Sequence, residues 1–254
     1  MSRGTRVAVA GAIALQIAIL VGVVAFGPAV LDYGIRSYLA AHPEVVVEAL
    51  DRYELQQAGN AEQRRSALIA QREQEIRFDP RSPVLGNPAG DVTVVEFFDY
   101  RCPYCRQLHP QIAPLLAAEP NVRLVLKELP LLGPDSTLAA RASMAAWLRA
   151  PARFAAFHET LMRFNGRLDE ATIERLAAEH GIDGGDLMLE MMDPRIDRAL
   201  AETRALAAAI GVTGTPGLVI GDAVIPGYID AAEIRRLIAE ARRACTSCRM
   251  RPGT

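Results

Sequence analysis

The sequence predicts an α/β protein, a mixed β-sheet flanked by helices and interrupted by a helical insertion. Three observations carry this expectation. Two short, apolar, β-branched runs, VTVVEFF at 92–98 and VRLVLK at 122–127, are separated by one helix-sized segment. Residues 135–210 are rich in Ala, Leu, Arg and Glu and are broken at Pro151, Gly166, Gly181, Gly184 and Pro194, which reads as several helices. GLVIG at 217–221 and AVIP at 223–226 flank Gly221-Asp222, a hairpin signal, and Ile229–Arg243 follows as an amphipathic helix. The order is strand, helix, strand, helical block, two strands, helix.

Taken in order, the chain begins with an uncharged apolar run from Val7 to Leu31 whose one strongly polar residue is Gln16. About 20 apolar residues cross a bilayer core, so this run is long enough. Arg3 and Arg6 precede it and Asp32 follows, which puts the N-terminus in the cytoplasm and the body outside. Residues 1–32 are expected to be a transmembrane helix anchored in the inner membrane, or an export signal that is cleaved. The run exceeds a usual signal core, and Pro28 is a poor context for cleavage. A buried core helix is the third alternative. If exported, the body enters a compartment such as a bacterial periplasm, where disulfides form and persist.

Residues 33–78 are rich in strong helix formers. Pro43 suits the first turn of a helix starting near His42. Val46, Ala49, Leu50 and Tyr53 fall on one apolar stripe, and Gly59-Asn60 would divide the segment into two helices. The segment is either a solvated helical stalk or a helix that joins copies of the chain into a homo-oligomer. Residues 79–91, with three prolines and two glycines, mark a boundary. The main domain is then 79–243, and 244–254 is a tail. Within the main domain, Pro110 and Pro114 should kink or split the helix that begins at Pro103.

The chemistry is concentrated in VVEFFDYRCPYCRQLHP. Cys102 and Cys105 are spaced to close a small disulfide ring at the start of a helix. Cys102 would be the N-cap, and Pro103 would occupy the first helical position, where a missing N–H is harmless. Free N–H groups and the helix dipole favour a thiolate there, and the thiolate is the nucleophile of thiol–disulfide exchange. Cys105, one turn further in, would be more buried. Such a pair can also be half of a zinc site, but the next two cysteines lie about 140 residues on. It can also be a structural disulfide, but so short a ring removes little chain entropy.

VVEFFDYRCPYC, RLVLKELPLLGPDS and GVTGTPGLVIGDAVIPGY together resemble the DsbA-type thiol:disulfide interchange proteins of the thioredoxin superfamily. The resemblance covers about 85–243. It is narrower with the branch typified by suppressor of copper sensitivity protein C, in which a helical segment like PEVVVEAL precedes the catalytic domain and can oligomerise it. The resemblance implies a thioredoxin fold with a helical insertion at about 135–210. It implies Cys102 as attacking cysteine and Cys105 as resolving cysteine, with Pro103 and Tyr104 facing substrate. Thr215-Pro216 matches the loop whose cis-proline faces the active-site disulfide. A cis bond there would turn the Thr215 backbone toward a bound peptide. Glu96 matches the buried acid that accepts the proton of the resolving thiol, and burial should raise its pKa. Lys127, the one lysine of the chain, could pair with Glu96 or cap a solvated strand end. His109 is expected at the surface. The dipeptide is Pro-Tyr where the prototype oxidase has Pro-His, so Cys102 is expected to be less acidic than in the strongest oxidases. Its potential is expected between about −270 and about −120 mV.

Cys245 and Cys248 form a second C-x-x-C beside Arg242, Arg243, Arg249 and Arg251. An exposed disulfide, a metal-binding pair and an electron shuttle all remain open for it. A formal charge of −2, from 28 basic and 30 acidic residues, leaves no basic excess for nucleic acid. Four cysteines in 254 residues are too few for a disulfide-built scaffold. The expectation is a periplasmic protein-disulfide oxidoreductase that needs no metal or organic cofactor beyond the Cys102–Cys105 disulfide. Its partners would be exported cysteine-containing proteins and a membrane redox protein. The rival reading is a copper-binding chaperone using the thiolates as soft ligands.

Overall fold

The computed structural model describes residues 15–17, 20 and 30–244. The apolar run 7–31 lies mostly outside these residues, and Cys245 and Cys248 lie wholly outside them. No described helix is long and apolar enough to cross a membrane. The chain divides into two compact units, Met1–Glu62 and Gln63–Thr254.

In the first unit, residues 30–41 are helical, and helix α1 (Pro43–Gln71) then begins at the proline expected to start it. Gly59-Asn60 does not divide α1. A lone glycine costs about 1 kcal/mol in a helix, too little to interrupt a run of good formers. Val46, Leu50 and Tyr53 are all exposed, Leu50 by 55%.

The second unit takes in the last turns of α1 and the short helix α2 (Glu73–Arg77). Its five strands are β1 (Val84–Gly86), β2 (Val92–Phe98), β3 (Val122–Glu128), β4 (Gly217–Ile220) and β5 (Ala223–Pro226). They lie in the order β1-β3-β2-β4-β5. β2 and β3 are parallel, joined through helix α3 (Pro103–Ala118), and every other pairing is antiparallel. β2 and β3 are buried along their whole length, which fits their continuous apolar runs. The β4–β5 hairpin turns at Gly221, whose φ of +57° suits glycine. The helical block is α4 (Pro134–Arg149), α5 (Pro151–Arg163), α6 (Glu170–Ala178), α7 (Gly184–Met191) and α8 (Pro194–Ala209). Helix α9 (Ala231–Ala244) follows the hairpin.

α3 is one helix despite Pro110 and Pro114. Both prolines are exposed and share a face with Arg106, four residues apart. The carbonyls that lose their N–H partners therefore point to solvent, where water satisfies them.

The sheet separates two cores. On one face Val94, Phe98, Leu124, Leu126 and Leu218 pack against α3, α9 and helices of the insertion. On the other, Val95, Phe97, Val125 and Val219 pack against Ile69, Ile76, Leu206 and Ile210. The period of two along each strand makes this division and decides which side chains reach the thiols.

Candidate active site

Cys102 is the N-cap of α3, with φ −72° and ψ 119°, and Pro103 is the first helical residue. Its N–H donates to Asp99 O (3.1 Å), and its carbonyl accepts from Arg106 N (3.1 Å). Both cysteines are free thiols and both are buried, Cys102 leaving 4% of its surface exposed and Cys105 none. A hydrogen bond from Cys105 is the largest influence pulling Cys102 down to about 5, against burial; the Thr215 side chain and the Cys105 and Tyr104 backbone N–H groups add to it. The same hydrogen bond drives the Cys105 thiol strongly upward, helped by burial and by the Glu96 carboxyl. The pair is therefore polarised into one thiolate and one thiol. A value of about 5 is less acidic than the roughly 3.5 of the strongest oxidases, and the donors around Cys102 are backbone and thiol groups rather than an imidazole.

The Thr215-Pro216 peptide is cis, and Thr215 O accepts from Cys102 Sγ at 3.1 Å. Pro216 is buried and Thr215 half-buried. Pro103 and Tyr104 are exposed on the first turn of α3, Tyr104 by 59%. Cys102, Tyr104 and Thr215 thus edge one accessible face.

Glu96 lies on β2 beneath the thiols. Burial, and then the Cys102 charge, push its carboxyl up to about 8. One carboxylate oxygen has no hydrogen-bond partner among the described residues.

Lys127 does not pair with Glu96 and does not cap a solvated strand end. In the parallel register Glu96 lies beside Leu126, and Phe97 beside Lys127. Lys127 therefore projects from the opposite face and is 2% exposed. Its Nζ donates to Glu75 O (2.6 Å) and Asp79 Oδ2 (3.3 Å). His109 is half-buried rather than a surface group, its ring 5.2 Å from that of His158.

Sequence reasoning passed over three buried residues. Asp99 accepts from the N–H groups of Arg101, Leu131 and Leu132 and from Ser136 Oγ, tying the loop before Cys102 to the end of β3 and the start of α4. Tyr100 Oη donates to Ser143 Oγ (2.7 Å) and lies 2.7 Å from His158 Nδ1. Glu128, two residues beyond Leu126, shares the face of Glu96. The Asp-Tyr dipeptide just before the cysteines and the alternation along β3 were the available signals. Arg101 Nη1 and Arg106 Nη2 donate to the carbonyls of Gly166 (3.0 Å) and Arg163 (3.1 Å), fastening the insertion to the thiol-bearing helix.

Residues 93–239 match the DSBA-like thioredoxin domain. The chain belongs to the DsbA-like thioredoxin family. A thioredoxin-like oxidoreductase from Silicibacter pomeroyi DSS-3 is 44% identical, covers 68% of this chain and 98% of its own, and superposes with a TM-score of 0.64. ScsC of Proteus mirabilis is 28% identical over 86% of this DsbA-like chain and 96% of its own, with a TM-score of 0.64. Disulfide bond formation protein D of Bacillus subtilis (strain 168) is 27% identical over 166 residues, 61% of this chain and 75% of that protein. The sodium/proton antiporter NhaA 3 of Salinispora tropica is 31% identical over 180 residues, and the match spans 27% of its length. The DsbA-like assignment makes the chain a member of a thiol–disulfide oxidoreductase family with a thioredoxin-like α/β fold.

Proposed function

We propose that the chain exchanges disulfides with exported proteins through Cys102 and Cys105. The observation that carries this reading is the polarised pair: an acidic thiol at a helix N-terminus against a thiol held protonated, with a buried carboxyl beside them.

In the oxidising direction a substrate thiolate attacks Cys102 Sγ of the Cys102–Cys105 disulfide. A Cys102–substrate bond forms, the intramolecular bond breaks, and Cys105 leaves and takes a proton from Glu96. A second substrate thiolate then attacks the substrate sulfur of the mixed disulfide, and Cys102 leaves as a thiolate. The substrate loses two electrons and the cysteine pair gains them. Resolution by Cys105 is the reverse of the first step, with Glu96 as base. At the Thr215-Pro216 edge a peptide can pair as a short added strand, beside the exposed Pro103 and Tyr104.

The acidity of Cys102 favours disulfide donation. At pH 7 a value of about 5 makes the thiolate fraction roughly a hundredfold larger than a value of 9.0 would. Intrinsic nucleophilicity falls with pKa by a Brønsted slope of about 0.4–0.5, which cancels most of that gain in attack. What remains is Cys102 as a good leaving group and a stabilised reduced state.

We place this activity in the periplasm, on a chain exported through residues 1–32 and tethered by them when they are not removed. Reoxidation would come from a membrane redox protein. The exposed stripe at Val46, Leu50 and Tyr53 favours a homo-oligomer formed through residues 33–78.

Insulin reduction and refolding of scrambled ribonuclease, with wild type against Cys102→Ser, test the activity. Loss in the variant is expected, and equal inactivity of both proteins would end the reading. Sedimentation with and without residues 33–78 tests the oligomer, and a monomer in both cases would refute it.

A further inference from the structure

In the exchange proposed above, a peptide paired at Thr215-Pro216 would cover Cys102 and close the substrate side to the proton that Glu96 takes from Cys105. The structure offers a route on the other side. Glu128, at the end of β3, is 4% exposed, and Ser143 and Tyr100 are the polar side chains beside its carboxyl. In the β2–β3 register Glu96 lies beside Leu126 and Phe98 beside Glu128. The two carboxyls therefore project from one face, one step apart on the diagonal of the parallel pair, close enough for the Glu96 charge to act on Glu128.

Glu128 also lines a narrow cavity of about 10 Å³ with Asp79, Arg81, Ser82, Ala199 and Thr203. That is room for about one water molecule, for which Glu128, Asp79, Arg81, Ser82 and Thr203 offer partners, while Pro83, Leu126, Met144 and Ala199 make the rest of the lining apolar. Asp79, Arg81 and Thr203 also line a wider pocket of about 290 Å³, where Arg81 and Glu202 are exposed. Polar groups thus lead from Glu128 to solvent, and Glu96 acts on Glu128 electrostatically from the thiol side. The charged and titratable groups facing Glu128 are Glu96 from β2, Asp99 and Tyr100 from the loop before α3, and Asp79 and Arg81 across the cavity. Burial, against hydrogen bonds from Ser143 and Tyr100 and with Asp99 and Glu96 adding, holds the Glu128 carboxyl well above the usual carboxylate range, so it carries a proton to give. Asp79 is held below its ordinary value by Arg81 and Lys127 in spite of burial, so it is ionised at the outer end.

We propose that Glu128 is a second proton-handling carboxyl for the resolving thiol, and that the cavity beside it carries the proton of Cys105 from Glu96 to solvent while substrate covers Cys102. This rests on the exchange reading above. Cys105–SH gives its proton to the Glu96 carboxylate. The Cys105 thiolate attacks Cys102 Sγ of the mixed disulfide, and the substrate leaves as a thiolate. Glu96 passes the proton to Glu128 as Glu128 releases its own to the cavity. The net result is one proton delivered to solvent and one protein disulfide formed, with no other reactant.

The test uses the reduced full-length chain mixed with a fluorescent peptide disulfide between pH 6 and 9.5. The first phase reports attack by Cys102 and the second reports release by Cys105. Glu128→Gln keeps the shape but cannot relay, and Ala199→Val fills the cavity while leaving every carboxyl in place. Each variant is expected to leave the first phase unchanged and slow the second roughly tenfold at pH 7. That is less than the about 10²–10⁴-fold of a full general acid–base contribution, because Glu96 remains. The wild-type second phase should level off near pH 8, the Glu96 value, while the variants keep rising with hydroxide. A second phase with wild-type rate and pH profile in either variant would overturn the proposal. So would equal slowing of both phases with the profile unchanged, which is what a merely structural role predicts. Absence of any first phase in the wild type would instead mark failure of the exchange reading.

Discussion

Replacing Cys105 by alanine should raise the pKa of Cys102 by about one to two units. The hydrogen bond from Cys105 is the largest influence holding Cys102 at about 5. A hydrogen bond to a charged group contributes about 1.5–3 kcal/mol, and one pKa unit corresponds to about 1.36 kcal/mol. The remaining donors, the Thr215 side chain and the backbone N–H groups of Cys105 and Tyr104, are untouched by the substitution. The midpoint should therefore rest between about 6 and about 7, well short of the 9.0 of an ordinary thiol. Thiolate absorbance at 240 nm, titrated in the reduced protein, reads this directly, and the rate of alkylation against pH checks it. Cys105→Ser restores a donor at the same place and should return the midpoint most of the way. A wild-type midpoint near 9 would refute the argument. So would a Cys105→Ala shift below half a unit, since the helix terminus rather than the neighbouring thiol would then carry the effect.

His158 should make the protein acid-sensitive. Burial pushes its imidazole from 6.5 down to about 3, so between those values the unfolded chain binds more protons than the folded one. Stability is then whole above pH 6.5 and falls below it, by about 2 kcal/mol at pH 5. Urea midpoints at pH 7 and pH 5 should show that slope in wild type and a flatter one in His158→Gln; equal slopes would exclude His158 as the cause. Lys127→Met should leave the first exchange phase within about twofold of wild type, because Lys127 lies on the face away from the thiols, and lower stability by about 1.5–3 kcal/mol, because Glu75 O and Asp79 lose a charged donor. A slowed first phase in that variant would contradict the placement of Lys127 on the far face. Asp99→Ala should destabilise by about 1–3 kcal/mol, since it removes the acceptor of three part-buried N–H groups and of the buried Ser136 hydroxyl. Urea unfolding of the reduced protein measures this, and a loss below 1 kcal/mol would show that the loop closes without Asp99.

The strands, the thiol-bearing helix, the hairpin and the helical block were legible because each rests on local signals: β-branched runs, a cysteine N-cap before proline, a Gly-Asp turn. The relation between Glu96 and Lys127 was not legible. It depends on parallel register, which two separate runs of sequence do not state. Once Glu96 lies beside Leu126, period-two alternation puts Lys127 on the far face and Glu128 on the near one. Tyr100, Ser143 and His158 come from three elements spread over 58 residues, and only the tertiary fold brings them together. Gly59-Asn60 misled in the opposite way, as a local signal too weak against its helical surroundings.

The two-sided sheet also has a mechanical consequence. The last turns of α1 seat Ile69 in the core formed by Val95, Phe97 and Val125, with α2 adding Ile76. Cys105 belongs to the core on the other side. The end of α1 therefore touches one face of the strands whose other face carries Glu96 and the thiols, so β2 and β3 form a shared wall between them. The thiols hang behind that wall like fittings behind a bulkhead. A change in the packing of Ile69 or Ile76 would reach Cys105 only across Val95, Phe97 and Val125, residues of those same strands.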